Sequence, residues 1–202
     1  MIQYHEGVPF CIMQPEEAGV EIDCKQITNF LEYIEPEICS DTQNDQNTAY
    51  KQDDLSSRFN KWNIFFFVEP ALLPVYKLIK TGWEQFSTEV GYEKHPLWIH
   101  AHGNLHRKDQ KLDYHAHLYP ILGYIGISSE GSNTTFYTGE KEDIAIPIPN
   151  KNGQLVITLG PIPHNTDVWD KDYSRCSIAF NLMSTTDTKQ AGCGPVFPFE
   201  VP

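Results

Sequence analysis

The sequence predicts a mostly β protein with supporting helices, its strands wrapped as a jelly roll. Three observations carry this. Two helical patterns fall before Gly91, short extended runs separated by turn signals follow it, and the last run alternates cleanly between apolar and polar residues. The 202 residues are read as one domain, with 1–91 a helical and strand support and 92–202 the core that carries the site.

Residues 8–13 read as a short strand. Asp23 can cap the helix that follows, with Gln26 three positions on, and Ile27, Phe30, Leu31 and Ile34 repeat on one face. Pro36 is expected to end it. Residues 40–58 are polar and aperiodic, which predicts a long loop and a candidate lid over an entrance. Residues 63–68 read as a buried strand or the approach to a helix. Leu72, Val75, Tyr76, Ile79, Trp83, Phe86 and Val90 then mark one helical face, with Pro74 in the first turn and Gly91 past the end. Beyond it, runs at 97–102, 114–118, 121–128, 134–137, 144–148, 154–159 and 174–183 have the spacing of an all-β sandwich or barrel. In the last run Cys176, Ile178, Phe180 and Leu182 share an apolar face that would pack on the helices. Arg175, Ser177, Ala179 and Asn181 share the other, which suits a pocket wall.

Composition excludes several classes. A net charge of −12 disfavours nucleic acid and anionic membranes as partners. No apolar run is long enough for a membrane span, and the start of the chain has no secretory pattern. Five cysteines without paired spacing favour a reducing, cytoplasmic compartment over a disulfide framework.

The chemistry concentrates in His115-Ala116-His117, His164 and Arg175-Cys176-Ser177. On an extended strand, residues two apart point to the same side with Cα atoms roughly 6.6 Å apart, so both rings can reach one metal. A third imidazole from a distant strand completes a facial set. Such a set leaves positions open for exchangeable ligands and suits Fe(II). Arginine offers a forked pair of donors to a carboxylate, and Ser177 adds a neutral one. Asp113 competes with His117 for the third ligand position, and an incomplete site filled by water is a further option. A second pair, His100 and His102, has no downstream partner at the right spacing and reads as ordinary strand. His95 and His106 are expected at the surface.

The segment from Trp98 to Met183 resembles the 2-oxoglutarate- and Fe(II)-dependent oxygenases, in particular the branch with a Trp-x-Asn strand before a His-x-His. Trp98-Ile99-His100 stands for the first motif and Asp113-Tyr114-His115-Ala116-His117 for the second. Gly153-Gln154-Leu155-Val156 opens the strand toward the distal His164, and Arg175-Cys176-Ser177-Ile178-Ala179-Phe180-Asn181 supplies the Arg-x-Ser and the closing Phe-Asn. Two departures stand out. The family's commonest pattern is His-x-Asp, and its Phe-Pro-Ser is here Thr158-Leu159-Gly160-Pro161-Ile162-Pro163.

The resemblance implies a double-stranded β-helix core and a dioxygenase with Fe(II) as cofactor and 2-oxoglutarate and dioxygen as co-substrates. The implied reaction hydroxylates an unidentified peptidyl side chain or small metabolite while 2-oxoglutarate becomes succinate. His115, His117 and His164 would hold the metal. Arg175, Ser177, Tyr124 and Asn181 would serve the co-substrate, with His100 and Trp98 near the pocket. A cupin-type metalloenzyme without 2-oxoglutarate and a non-catalytic jelly-roll module are the competing readings.

Overall fold

A computed structural model of the chain describes residues 1–41, 54–92, 95–185, 187 and 194–200. Among the described residues ten strands form two sheets: β1 (Ile2–His5), β2 (Val8–Met13), β3 (Leu97–His106), β4 (Ile121–Ser128), β5 (Asn133–Thr138), β6 (Ile144–Pro149), β7 (Leu155–Leu159), β8 (His164–Thr166), β9 (Arg175–Ser184) and β10 (Phe197–Glu200). The large sheet runs β1-β2-β7-β4-β9-β3-β10 and the small one β6-β5-β8, and every pairing is antiparallel. Facing each other, they make a double-stranded β-helix. Two helices, α1 (Cys24–Asp41) and α2 (Leu72–Glu89), cover the outer face of the large sheet.

The helical patterns place both helices correctly. The Asp23 carboxylate accepts the Gln26 backbone N–H at 2.8 Å, satisfying one orphan donor of the first turn. Ile27, Leu31 and Ile34 are buried against the sheet. Pro36 does not end α1, which continues to Asp41. The ring removes one backbone bond, but Ile38 beyond it still packs on the core and holds the last turn in place. In α2 the face carrying Leu72, Val75, Ile79, Trp83 and Phe86 is buried, and Gly91 takes φ +65°, the left-handed conformation that closes a helix. Residues 63–68 prove to be the approach to α2, with a single 3-10 turn over Ile64–Phe66.

The two faces of β9 divide as the alternation predicts. Cys176, Ile178, Phe180 and Leu182 join the helices in the main core. Between the sheets, Phe10, Leu122, Tyr124, Phe136, Ile146, Ile148 and Val156 form a second, smaller core at one end of the barrel. A cavity with polar walls borders it at Leu122 and Tyr124.

Residues 54–58, at the end of the expected loop, are packed into the protein. They are buried, and the Ser56 hydroxyl accepts the Leu105 backbone N–H, so this segment seals the edge of β3 that β10 leaves unpaired. Residues 42–53 of the expected lid lie outside the described residues. No helix among the described residues is long and apolar enough to cross a membrane.

Candidate metal centre and its anion chamber

The stretch expected as a strand at 114–118 is not one. It touches β8 through a single bridge, His115 with His164, whose backbones exchange bonds of 3.1 and 2.8 Å. The His117 N–H donates to the Gly160 carbonyl at 3.2 Å, and the Gly160 N–H returns one to Pro120 at 2.8 Å. The chains approach so closely there that a Cβ on Gly160 would sit 1.7 Å from the Tyr119 carbonyl oxygen. This close crossing accounts for glycine where the resembled family has its Phe-Pro-Ser, and it ends the ladder early. Extended geometry survives without the ladder. Tyr114, Ala116 and Leu118 are exposed while His115 and His117 turn inward.

The three rings meet. Nitrogen atoms of His115, His117 and His164 that can bind a metal all lie within 4.8 Å of one another, and the Nε2 atoms of His115 and His117 are 3.2 Å apart. Each Nδ1 faces a carbonyl oxygen: Asp113 O for His115 (2.9 Å), the Asn181 side-chain oxygen for His117 (2.6 Å) and Ile162 O for His164 (3.2 Å). A carbonyl only accepts, so each Nδ1 carries the proton and each Nε2 presents a lone pair. Three lone pairs converging in a buried space are poorly matched to one another and well matched to a cation. Burial keeps the rings neutral. It holds His115 below the ordinary histidine range, His117 at about 4 and His164 well below that range, with neighbouring imidazoles adding to the last two shifts. The donor set therefore fits a divalent metal bound through three imidazoles, with the remaining positions open. Asp113 is not among these donors. Its carboxylate pairs with Lys111 Nζ at 3.2 Å, and only its carbonyl serves His115.

The same narrow cavity, about 40 Å³, continues from the three rings to Arg175, with Tyr124, Thr134, Ser177 and Asn104 on its walls. Arg175 is buried, and among the described residues no carboxylate pairs with it. Two aspartates close to it in sequence are engaged by other groups. Asp167 accepts from Asn133, and Asp172 pairs with Lys108. The guanidinium instead donates to two neutral groups, the Ser132 hydroxyl (3.3 Å) and His106 Nδ1 (3.2 Å). Ser132 is itself fixed by Asn150 Nδ2 at 3.0 Å and by its own bond to the Ser129 carbonyl at 2.7 Å. Ser177 accepts a long 3.5 Å contact from Asn104 Nδ2, and the Tyr124 hydroxyl borders the same wall beside Thr134. A buried cation without a counter-ion, ringed by neutral polar groups, is suited to an anion.

Asn181 sits at the other end of the β9 polar face. Its contact is with His117, so the structure places it beside the metal donors and away from Arg175. His100 and Trp98 do not border the cavity. His100 Nε2 contacts the Trp62 carbonyl at 3.2 Å, and Trp98 Nε1 donates to Thr185 at the outer end of β3. His95 is exposed as expected, but His106 is buried. The reason is the length of β3, which runs four residues past its expected end and keeps its even-numbered positions on the inner face. Asn104 and His106 therefore reach the cavity. The period-two series His100, His102, Asn104, His106 was the available signal.

No protein-family model and no curated protein sequence matches the chain. Among solved structures, it is similar to a prolyl hydroxylase from Trichoplax adhaerens in complex with a hypoxia inducible factor peptide fragment (TM-score 0.57, 11% identity, 89% of this chain and 86% of that one). It is also similar to the non-heme alpha ketoglutarate dependent carbocyclase SnoK from nogalamycin biosynthesis (0.56, 10%, 96% and 89%) and to the alpha ketoglutarate dependent epimerase SnoN of the same biosynthesis (0.56, 10%, 87% and 77%). At these identities the likeness is one of fold: the chain has the double-stranded β-helix on which those enzymes are built.

Proposed function

We propose that this protein is an Fe(II)- and 2-oxoglutarate-dependent dioxygenase that hydroxylates a peptidyl side chain or a small metabolite. The observation that carries the reading is the pairing, in one cavity, of three convergent imidazoles with a buried guanidinium that lacks a counter-ion. Iron, when bound, supplies the open coordination positions and the oxidising chemistry with dioxygen. His115, His117 and His164 hold it, and Asn181 fixes the tautomer of His117. Arg175 grips the far carboxylate of 2-oxoglutarate, with Ser177 and Tyr124 as neutral donors along the wall. With three neutral ligands the metal keeps its full positive charge, which favours an anionic co-substrate at its open positions. The solved neighbours include an epimerase and a carbocyclase as well as a hydroxylase, so hydroxylation rests here on the sequence resemblance. A cupin-type reaction without 2-oxoglutarate, or a non-catalytic module, leaves Arg175 buried with nothing to bind.

The test is anaerobic addition of Fe(II) and 2-oxoglutarate, which should produce a weak visible charge-transfer band, followed by succinate formation on admitting air. Arg175→Ala should weaken 2-oxoglutarate binding by about 100-fold, the worth of a charge-assisted bidentate contact, with iron affinity nearly unchanged. Oxygen uptake that proceeds without 2-oxoglutarate would overturn the reading, as would normal 2-oxoglutarate binding by the Arg175→Ala variant.

A further inference from the structure

We propose that His106 is a further binding residue of the anion chamber: its Nε2–H donates to the distal carboxylate of the dicarboxylic acid that Arg175 holds, while its Nδ1 fixes the guanidinium in place. The proposal rests on reading the chamber as the 2-oxoglutarate site.

His106 is the last residue of β3 and lies directly across from Arg175 in the β3–β9 ladder, on the same inner face. Its ring is buried, 1% exposed, and borders the cavity. Nδ1 is 3.2 Å from Arg175 Nη1. A guanidinium has no lone pair to offer, so Nδ1 accepts. A neutral imidazole that accepts at one nitrogen must carry its proton on the other. Nε2–H is thus a donor, and it has no partner in the protein.

Buried donors are normally satisfied, and an orphan on a cavity wall marks where a ligand atom belongs. The Tyr124 hydroxyl, with Thr134 beside it, stands on the same wall. Arg175 and His106 therefore offer a positive charge without a counter-ion and a neutral donor without an acceptor, with the Tyr124 hydroxyl alongside. A single carboxylate, with one negative charge and about four lone-pair sites, matches that set. His106 stays neutral there. Burial, with Arg175 and then Arg107 beside it, pushes its pKa down to about 3, so the ring neither cancels nor doubles the charge of Arg175.

Asparagine and glutamine separate the two contacts. Asn places an amide oxygen near the Nδ1 position and so keeps only the bond to Arg175. Gln reaches the Nε2 position with an amide N–H and keeps the donor to the cavity. Phe fills the volume and keeps neither.

Binding to the Mn(II)-loaded protein would be measured by calorimetry with 2-oxoglutarate and with 2-oxopentanoate, which lacks the far carboxylate. His106→Phe should raise the Kd for 2-oxoglutarate about tenfold or more and leave that for 2-oxopentanoate within about twofold. His106→Gln should recover most of the loss, and His106→Asn should not. Recovery by Asn alone would show that the ring only props Arg175. Wild-type affinity in the Phe variant would show that no carboxylate touches it. Either result overturns the proposal.

Two measurements stand apart from these variants. Nitrogen-15 NMR of the wild-type histidines should show His106 protonated at Nε2, with that signal moving on addition of glutarate. A proton on Nδ1, or a signal indifferent to glutarate, overturns the proposal even if the variants fail to fold. Failure of the 2-oxoglutarate reading looks different. The wild type would then bind 2-oxoglutarate no better than 2-oxopentanoate, while glutarate still moved the His106 signal.

Discussion

The chain contains two His-x-His pairs, His100 with His102 and His115 with His117, alike in spacing and nearly alike in ring geometry. Ring centroids are 5.7 Å apart in the first pair and 5.1 Å in the second, with interplanar angles of 36° and 39°. What separates them lies outside each pair. The second pair meets a third ring, His164, at 4.3 and 5.1 Å, and each of its Nδ1 atoms is tied to a carbonyl. The first pair is covered by Phe59, at 6.5 and 5.6 Å, and neither nitrogen of His102 has a partner. Two imidazoles on one strand face are therefore not a metal site in themselves. The third donor and the carbonyls that aim the lone pairs make the difference.

The largest effect should come from breaking the convergence. His164→Ala is expected to cut divalent-metal affinity by at least about 10³-fold, since it removes one of three ligands. His102→Ala, made on the other pair, should leave that affinity within about threefold. Competition with a chelator of known affinity measures both. Equal losses would mean that the two pairs form one site and the contrast drawn between them is false.

Acid is expected to act on both pairs. Burial lowers the pKa of His100, His102, His115, His117 and His164, and of His106 outside the pairs, so the unfolded chain binds protons that the folded chain refuses. Stability is then complete above the unfolded value of about 6.5 and falls as pH drops toward the folded values, about 4 for His117 and about 3 for His106. At pH 5 each of those two rings costs about 2 kcal/mol relative to neutral pH. Asp54, raised to about 6 by burial, works the other way between pH 4 and 6 and offsets part of the loss. Urea titrations of the metal-free protein from pH 7.5 to 4.5 read the slope. Added Mn(II) should move the acid transition to lower pH in the wild type and not in His164→Ala, which sharpens the contrast between the pairs. A flat profile would show that these rings are not held neutral.

The smallest effect tests the carbonyl that aims His117. Asn181→Leu removes the acceptor 2.6 Å from Nδ1 and should weaken metal binding by about tenfold without altering the fold. Unchanged affinity would mean that strand geometry alone orients the ring.

Much of this arrangement was legible in the sequence. Residues 8–13 and 121–128 form strands at their expected bounds, and the apolar face of β9 packs on the helices as its alternation requires. Those are local signals, since side-chain direction along a strand has a fixed period. Errors arose where a distant partner decided the outcome. Pro36 remains inside α1 because Ile38 is held by the core, and 114–118 fails to become a ladder because Gly160 crosses it too closely. His106 is buried because β9 extends β3 through ten paired positions.

By itself, then, the sequence determined which side chains share a face: His115 with His117, and Arg175 with Ser177 and Asn181. Only the tertiary structure decided which of the two histidine pairs meets a third ring, that Asp113 contributes a carbonyl and no carboxylate, and that Arg175 donates to a histidine ring in place of pairing with an aspartate. Periodicity fixes direction within a strand. It carries no information about which strand lies opposite, and both the closing of a metal site and the isolation of a buried charge are properties of what lies opposite.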